Sequence, residues 1–105
     1  MADVHRLTVQ YFDPTDGTGF EAVYRERHVP IVQEVPGLAR FTLSTPRGTG
    51  DTPHLVAELW FEDAATMKSA LGSPQMSRAA EDAETYEVAR RVMFATEVDD
   101  VATSA

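Results

Sequence analysis

Cysteine is absent from the 105 residues of this chain. Its absence excludes disulfide bonds, thiolate metal sites and cysteine nucleophiles, and it is compatible with a reducing cytoplasm, where we expect the protein to be located. Long apolar runs are also missing, since no stretch approaches the roughly 20 residues that a membrane-spanning helix needs. We therefore expect no membrane partner and no secretory signal at the N-terminus.

Basic residues are scarce, with 9 Lys and Arg against 17 Asp and Glu, which gives a formal net charge of -8. A surface with this excess of negative charge repels phosphate backbones. Nucleic acid is therefore not an expected partner.

Recognisable metal and phosphate motifs are missing as well. The three histidines, His5, His28 and His54, are scattered over separate elements and show no ligand spacing such as His-x3-His. Gly48-Thr49-Gly50 is followed by neither a helix nor a lysine, so it does not resemble a phosphate-binding loop. We expect no bound metal.

The composition is that of a globular protein, with 43% hydrophobic and 25% charged residues. We expect a single domain over residues 1–98, because one chain of this length supports one core. Residues 99–105 are small and polar, which predicts a disordered tail.

Four segments alternate between apolar and polar residues, which predicts β-strands at 5–12, 38–45, 54–61 and 91–98. Helical spacing begins near residue 18, and two further helices are predicted at 64–71 and 73–86, where Asp63 and Ser73 are suitable N-caps. The order β-α-β-β-α-β predicts an α+β, ferredoxin-like fold with a four-stranded antiparallel sheet and both helices on one face. The face predicted to contact the helices carries Leu7, Val9, Phe41, Leu43, Leu55, Leu59, Phe61 and Phe94.

The opposite face of the predicted sheet is mixed in character, with Gln10, Phe12, Arg40, Thr42, Val56, Glu58, Trp60 and Met93. A face with this many apolar side chains is unfavourable in water. The same face of a second copy would cover it, so we predict a homodimer through the sheet. Arg40 and Glu58 are expected to form an ion pair on this face or across the dimer.

The stretch Tyr24–Ile31 holds the most distinctive pattern in the chain. Pro30 lacks an N–H and its ring presses on the carbonyl of Glu26, so the helix should kink or break near His28. Tyr24 lies four residues before His28, a spacing at which two side chains on a helix touch.

His28 is the candidate catalytic residue, because an imidazole transfers protons near neutral pH. The competing interpretation is a structural histidine that fixes the kink. Tyr24 and Tyr11 are candidates for binding a substrate oxygen, and Phe41 and Trp60 for stacking on a flat substrate. For each of these four, plain packing in the core or at the dimer face is the alternative.

Several segments resemble the EthD family of the dimeric α/β-barrel superfamily. They are Phe20–Tyr24, His28–Val32, Pro36–Phe41, Val56–Phe61 and the Ser73-Pro74 start of a helix. The resemblance implies small, dimeric bacterial proteins of the cytoplasm, often encoded beside degradation or polyketide-tailoring enzymes. The superfamily includes cofactor-free monooxygenases, polyketide cyclases, muconolactone isomerases and haem-binding enzymes. In the related isomerases and cyclases a histidine on the first helix is the acid or base, a role that would belong to His28 here.

The resemblance also bears on cofactors, since related haem proteins carry the axial histidine on the second helix. Residues 63–86 contain no histidine, so no haem and no other cofactor is expected. The leading hypothesis is a cofactor-free isomerase, cyclase or dehydratase that transfers protons on a small aromatic or lactone-type compound, with oxygenation as a variant. The alternative is a non-catalytic protein that binds a hydrophobic metabolite or supports a degradation pathway.

Overall fold

The helices and strands follow the predicted order in a computed structural model that describes residues 4–102. The elements are β1 (Val4–Pro14), α1 (Gly17–Val23), a π-helical turn (Tyr24–His28), α2 (Val29–Gln33), β2 (Arg40–Ser44), β3 (Leu55–Phe61), α3 (Ala64–Leu71), α4 (Pro74–Ala83) and β4 (Val88–Val98). The first and last strands, β1 and β4, are longer than the alternation indicated, β2 is shorter, and α4 ends three residues earlier than predicted.

The four strands form one antiparallel sheet in the order β2-β3-β1-β4. At its centre, Leu7 lies opposite Leu59 on one side and Ala95 on the other. This order and direction confirm the predicted α+β, ferredoxin-like fold. Strands β2 and β4 are the two edges of the sheet.

Helices α1, α3 and α4 each begin after a polar residue whose side chain caps the helix. Asp63 accepts a hydrogen bond from the N–H of Thr66 at 2.7 Å, and Ser73 accepts one from the N–H of Met76 at 3.1 Å. Asp16 caps α1 in the same way. Each such cap typically contributes about 1 kcal/mol, so the helix starts are well specified by local sequence.

The core fills the layer between the helices and the sheet in two adjoining clusters. The first contains Leu7, Val32, Val35, Leu59, Phe61, Met67, Ala70 and Ala79. The second contains Tyr11, Phe20, Tyr24, Leu55 and Ala57. The second cluster is aromatic, and it is the part of the core that borders the candidate site.

The prediction of which β4 side chains face the helices was wrong by one residue along the strand. Opposed residues of an antiparallel ladder share a face, and Met93 lies opposite Val9 while Phe94 lies opposite Thr8. Met93 therefore faces the helices and Phe94 faces outward, where it is 42% exposed. The alternation within β4 was misread because apolar residues occupy both faces of the strand.

Within one chain, the predicted ion pair between Arg40 and Glu58 does not form. Arg40 lies opposite Trp60 in the ladder, whereas Glu58 lies opposite Thr42 and Thr8. Glu58 instead pairs with Arg6, with 3.1 Å between the guanidinium and carboxylate. The pair forms within the outer face of the sheet, between the two central strands.

The two chain ends are only partly described. Residues 99–102 follow β4 without regular structure. The remainder of the predicted tail, 103–105, and the first three residues of the segment considered for a signal lie outside the described residues. Within residues 4–102, no helix has both the length and the apolar character to cross a membrane.

Candidate functional site

The helical stretch from Gly17 to Gln33 changes winding at the predicted position. The N–H of Val29 bonds to the carbonyl of Tyr24, five residues back, and Tyr24–His28 form a π-helical turn. Pro30 has no N–H to donate, which removes one bond of the regular ladder. Val29 nevertheless keeps helical angles, with φ -55° and ψ -47°. The expected disturbance is thus a wider turn rather than a break, and such turns are frequent at functional sites.

A cavity of about 90 Å³ lies between this turn, α4 and the sheet. Its walls are Leu7, Val9, Tyr11, Tyr24, His28, Val32, Ala57, Leu59, Met76, Ala79, Ala80, Ala83, Arg91 and Met93. Most of this surface is apolar. The space exists because α4 presents three alanines, whose small side chains leave the region above the sheet unfilled.

The cavity opens beside the edge strand β4. Two of its lining residues, Arg91 and Met93, belong to this strand and are themselves exposed, Met93 to 62%. Tyr24 also lines the cavity and is 0% exposed, so the cavity is closed where this residue lies. A ligand would therefore enter beside β4 and meet the tyrosine at the closed end.

Tyr11 and Tyr24 meet at the closed end, with ring centroids 5.4 Å apart in an edge-to-face arrangement. The Tyr24 hydroxyl is buried and has no partner at full hydrogen-bonding geometry within residues 4–102, although it lies close enough to the Tyr11 hydroxyl for each to shift the pKa of the other. Burial raises the pKa of both phenols, so both remain protonated at neutral pH. A buried hydroxyl without a partner is costly, and here it is available to a ligand oxygen.

His28 lies beside Tyr24, with ring centroids 4.7 Å apart, as the four-residue spacing predicted. The imidazole is only 4% exposed. Its Nδ1 is 2.9 Å from Oδ2 of Asp82, a residue 54 positions later on α4. A carboxylate accepts a hydrogen bond, so Nδ1 carries the proton and Nε2 has the free lone pair.

Asp82 is itself held by two other donors. The Tyr86 hydroxyl donates to Oδ2 at 2.6 Å, and Nε of Arg27 donates to Oδ1 at 2.7 Å. Arg27 also donates to the hydroxyl of Thr85 at 2.7 Å. Burial alone would raise the pKa of Asp82, but hydrogen bonds from Tyr86 and His28 and the charge of Arg27 outweigh it and lower that pKa. Asp82 is therefore a fixed anion behind the histidine.

The pKa of His28 is lowered from its ordinary value. Burial is the largest cause, and the charges of Arg91 and Arg27 act in the same direction, whereas Asp82 opposes them. At neutral pH the imidazole is consequently uncharged. A neutral imidazole with its Nδ1 proton held by a carboxylate is a proton acceptor at Nε2 and becomes a proton donor once charged.

Two of the predicted substrate-binding residues do not reach the cavity. Trp60 is on the outer face of the sheet, between the guanidinium groups of Arg6 and Arg40 at 5.2 and 5.3 Å from its ring. Trp60 follows Leu59, whose side chain faces the helices. Since successive side chains of a strand point to opposite faces, Trp60 points away from the cavity. Phe41 faces the helices but lies on the edge strand β2, where it packs against the core. Tyr11, Tyr24 and His28 are the predicted residues that the fold brings together.

The family model that matches this chain is the EthD domain, over residues 13–86. The chain belongs to the EthD family. A protein of 11.0 kDa in the thcB–thcC intergenic region of Rhodococcus erythropolis is 30% identical over 101 residues, which is 93% of this chain and 98% of that protein. The similarity therefore extends over nearly the whole chain.

Solved structures with the same fold include an EthD family protein from Bacillus halodurans, with a TM-score of 0.80 and 19% identity over 91% of this chain and 99% of that chain. SnoaB, a cofactor-independent oxygenase from Streptomyces nogalater, has a TM-score of 0.67 and 19% identity over 96% and 97%. Hydroxynitrile lyase from Passiflora edulis has a TM-score of 0.76 and 13% identity over 98% and 100%. At these identities the similarity establishes the shared fold.

Three residues of this EthD protein's site were not predicted from the sequence: Asp82, Tyr86 and Arg91. The spacing of Asp82 and Tyr86, four residues at the end of a helix, is a weak signal that they can touch each other. Nothing local connects them to His28, because the contact depends on how α4 packs against the π-helical turn. Arg91 could have been found only from the correct face of β4.

The site has few groups that could hold a metal ion. Within residues 4–102, His, Asp and Glu side chains do not form a group of three or more with suitable geometry. What the cavity does offer is one imidazole, two phenols and one guanidinium on an otherwise apolar surface.

Proposed function

We propose that this EthD protein catalyses proton transfer on a small aromatic or lactone-type compound, with His28 as the acid and base. The observation that supports this most directly is the His28–Asp82 pair, in which Nδ1 is bonded to the carboxylate while the ring lines an apolar cavity. In an isomerisation, Nε2 would take a proton from a carbon next to a carbonyl and return it to another carbon of the same molecule. Dehydration needs the same removal from carbon, but the proton is then given to the departing hydroxyl, which leaves as water. Cyclisation by carbon–carbon bond formation gives it to the oxygen of the attacked carbonyl.

The two phenols have a complementary role in this proposal. Removal of a proton beside a carbonyl places negative charge on the carbonyl oxygen, and donors fixed at that position lower the barrier. Tyr24 has a buried hydroxyl without a protein partner, and Tyr11 lies against it. We assign Tyr24 to the substrate oxygen and Tyr11 to the support of Tyr24.

The volume of the cavity limits the substrate. A cavity of about 150 Å³ is known to admit a benzene ring, whereas the enclosed space here is about 90 Å³. A ring therefore enters only when the flexible side chains of Met76 and Met93 move. The proposal accordingly favours compact molecules of one ring over polycyclic compounds.

A five-membered β,γ-unsaturated lactone tests the proposal, because the shift of its double bond changes the ultraviolet spectrum. In D₂O the same reaction introduces deuterium, which is followed by NMR. We expect the wild-type protein to accelerate both processes over buffer. The rate should rise with pH below about 6.5 and level off at neutral pH, because the lowered pKa of His28 leaves the imidazole neutral there.

The matched variants are His28→Asn and His54→Asn. An asparagine amide at position 28 can still donate to Asp82 but cannot accept the proton, so we expect a loss of about 100-fold or more. His54 lies near Glu21, outside the cavity, and its replacement should leave the rate unchanged. An unaltered rate in His28→Asn would rule out the acid–base role. Binding of the lactone without any exchange above buffer would support the non-catalytic alternative instead.

We also propose that two copies associate through the outer face of the sheet. This face carries Phe94, which is 42% exposed. Trp60 lies on the same face, between Arg6 and Arg40. The same face of a second copy would cover these apolar side chains.

A further inference from the structure

Arg91 occupies the mouth of the cavity on the edge strand β4. It lies directly opposite Tyr11 in the ladder, so both side chains are on the face that contacts the helices. Its neighbour Arg90 is on the outer face, over the ring of Phe12 and bonded to Asp51. Two consecutive arginines thus have different environments, and only Arg91 lines the cavity.

No carboxylate in the described part of the chain forms an ion pair with Arg91. No carboxylate is among the residues that line the cavity, and Arg91 forms no salt bridge within residues 4–102. Arg6, Arg27 and Arg90 each lie within 4.0 Å of a carboxylate. The nearby Asp82 is engaged by His28, Arg27 and Tyr86. The cavity therefore has one fixed positive charge at its mouth and no negative charge.

The polar groups of the cavity also agree in hydrogen-bonding character. Within residues 4–102 the Tyr24 hydroxyl has no partner at full hydrogen-bonding geometry, and the guanidinium of Arg91 offers donors in a planar fork that matches a carboxylate. The remaining lining is mostly apolar and includes Val9, Leu59 and Met76. The site thus combines an apolar surface with donors that suit oxygen, because Arg91 lies beside Tyr11 and Tyr11 contacts Tyr24.

We propose that the ligand of this cavity is a compact aromatic or cyclic carboxylate, whose ring lies in the cavity and whose carboxylate binds Arg91 at the mouth. This inference rests on the proposed function only in using the same cavity. It adds the charge of the substrate and a binding residue that determines specificity. Since the net charge of -8 repels anions over the rest of the surface, a preference for an anion has to come from this local charge.

Benzoate and benzamide are the probes, because they share size and shape and differ in charge. Each is titrated into the ¹⁵N-labelled protein at pH 7.5 and 150 mM salt, and binding is followed by the NMR signals of Tyr24, His28 and Met93. We expect benzoate to bind the wild-type protein about tenfold more tightly than benzamide, as a partly exposed pair with a guanidinium permits.

Two substitutions of adjacent arginines separate the cavity charge from the general charge of the protein. Arg91→Gln should reduce the preference for benzoate to about onefold, while Arg90→Gln, which removes the same charge from the outer face, should leave it intact. Arg91→Lys should retain part of the preference, because it keeps the charge but loses the fork. Thermal unfolding of each variant establishes that it is folded.

Equal binding of the two probes to the wild-type cavity would overturn the inference and leave the acid–base proposal standing. A preference that persists in Arg91→Gln, or the absence of any shift of the cavity signals up to 10 mM of either probe, would overturn it as well. A preference for benzoate in a protein that gives no lactone exchange would have the opposite meaning. It would support the anion site and remove the catalytic function.

Discussion

Replacing Asp82 by asparagine tests the central contact of the site. The carboxylate accepts hydrogen bonds from His28, Tyr86 and Arg27 at 2.9, 2.6 and 2.7 Å. An asparagine retains one acceptor oxygen and presents an amide donor in place of the other. If the oxygen stays with Arg27, the amide faces Nδ1 of His28, which must then become an acceptor. The proton moves to Nε2, and His28 can no longer accept one from a substrate.

The expected loss of stability follows from how deeply the partners of Asp82 are buried. Hydrogen bonds to charged groups contribute about 1.5–3 kcal/mol each, but the Arg27 side chain is 50% exposed and regains water. His28 is 4% exposed and cannot. We therefore expect Asp82→Asn to lower the free energy of unfolding by about 2 kcal/mol. For a domain of this size that is a fall in Tm of about 10 °C.

The pH dependence has a defined sign. Because the folded state lowers the pKa of Asp82, its contribution to stability is present above the unfolded value near 3.9 and is lost as pH falls through the folded value. The difference between wild type and Asp82→Asn should thus be constant at neutral pH, where His28 is uncharged in both proteins, and the part that comes from the Asp82 carboxylate should be lost in acid. The pKa of His28 should fall further in the variant, since Asp82 raises it in the wild type.

Chemical denaturation at several pH values, calorimetry and an NMR titration of His28 measure these effects. Glu81→Gln is the control, because Glu81 is an exposed neighbour on α4 and its replacement removes the same charge. We expect its Tm to stay within a few degrees of the wild type. An Asp82→Asn protein that matched this control in stability, with an unchanged pKa of His28, would refute the assigned role of the contact.

Three further substitutions have distinct expected outcomes. Tyr24→Phe removes a buried hydroxyl that has no hydrogen-bond partner within residues 4–102, so denaturation should show unchanged or slightly raised stability. Lactone exchange should fall about tenfold or more. A large loss of stability would contradict this assignment. Gly37→Ala should lower the free energy of unfolding by about 1 kcal/mol more than Gly50→Ala. Both glycines have positive φ, but only at Gly37 would the new methyl group meet Thr66. Equal losses of stability would contradict this packing. Phe94→Lys should convert a dimer into a monomer in light scattering, and a wild-type monomer at micromolar concentration would exclude the proposed association.

Local sequence determined the secondary structure because its signals are local. A cap such as Ser73 acts within one turn of its own helix, and Pro30 removes its own N–H, which disturbs the winding at the predicted place. Alternation in β1 and β3 identified the correct faces, since each of these strands is apolar mainly on one side. The order of the elements was then sufficient for the ferredoxin-like fold.

Tertiary packing decided what these local signals leave open. Strand β4 has apolar residues on both faces, so only its register with β1 places Phe94 outward and Arg91 at the cavity. Asp82 meets His28 across 54 residues because α4 packs against the π-helical turn, and no spacing within the sequence encodes that approach. The sequence by itself therefore determined the scaffold and one histidine. The cavity, the carboxylate behind the histidine and the charge at the mouth arise from contacts between elements far apart in the chain.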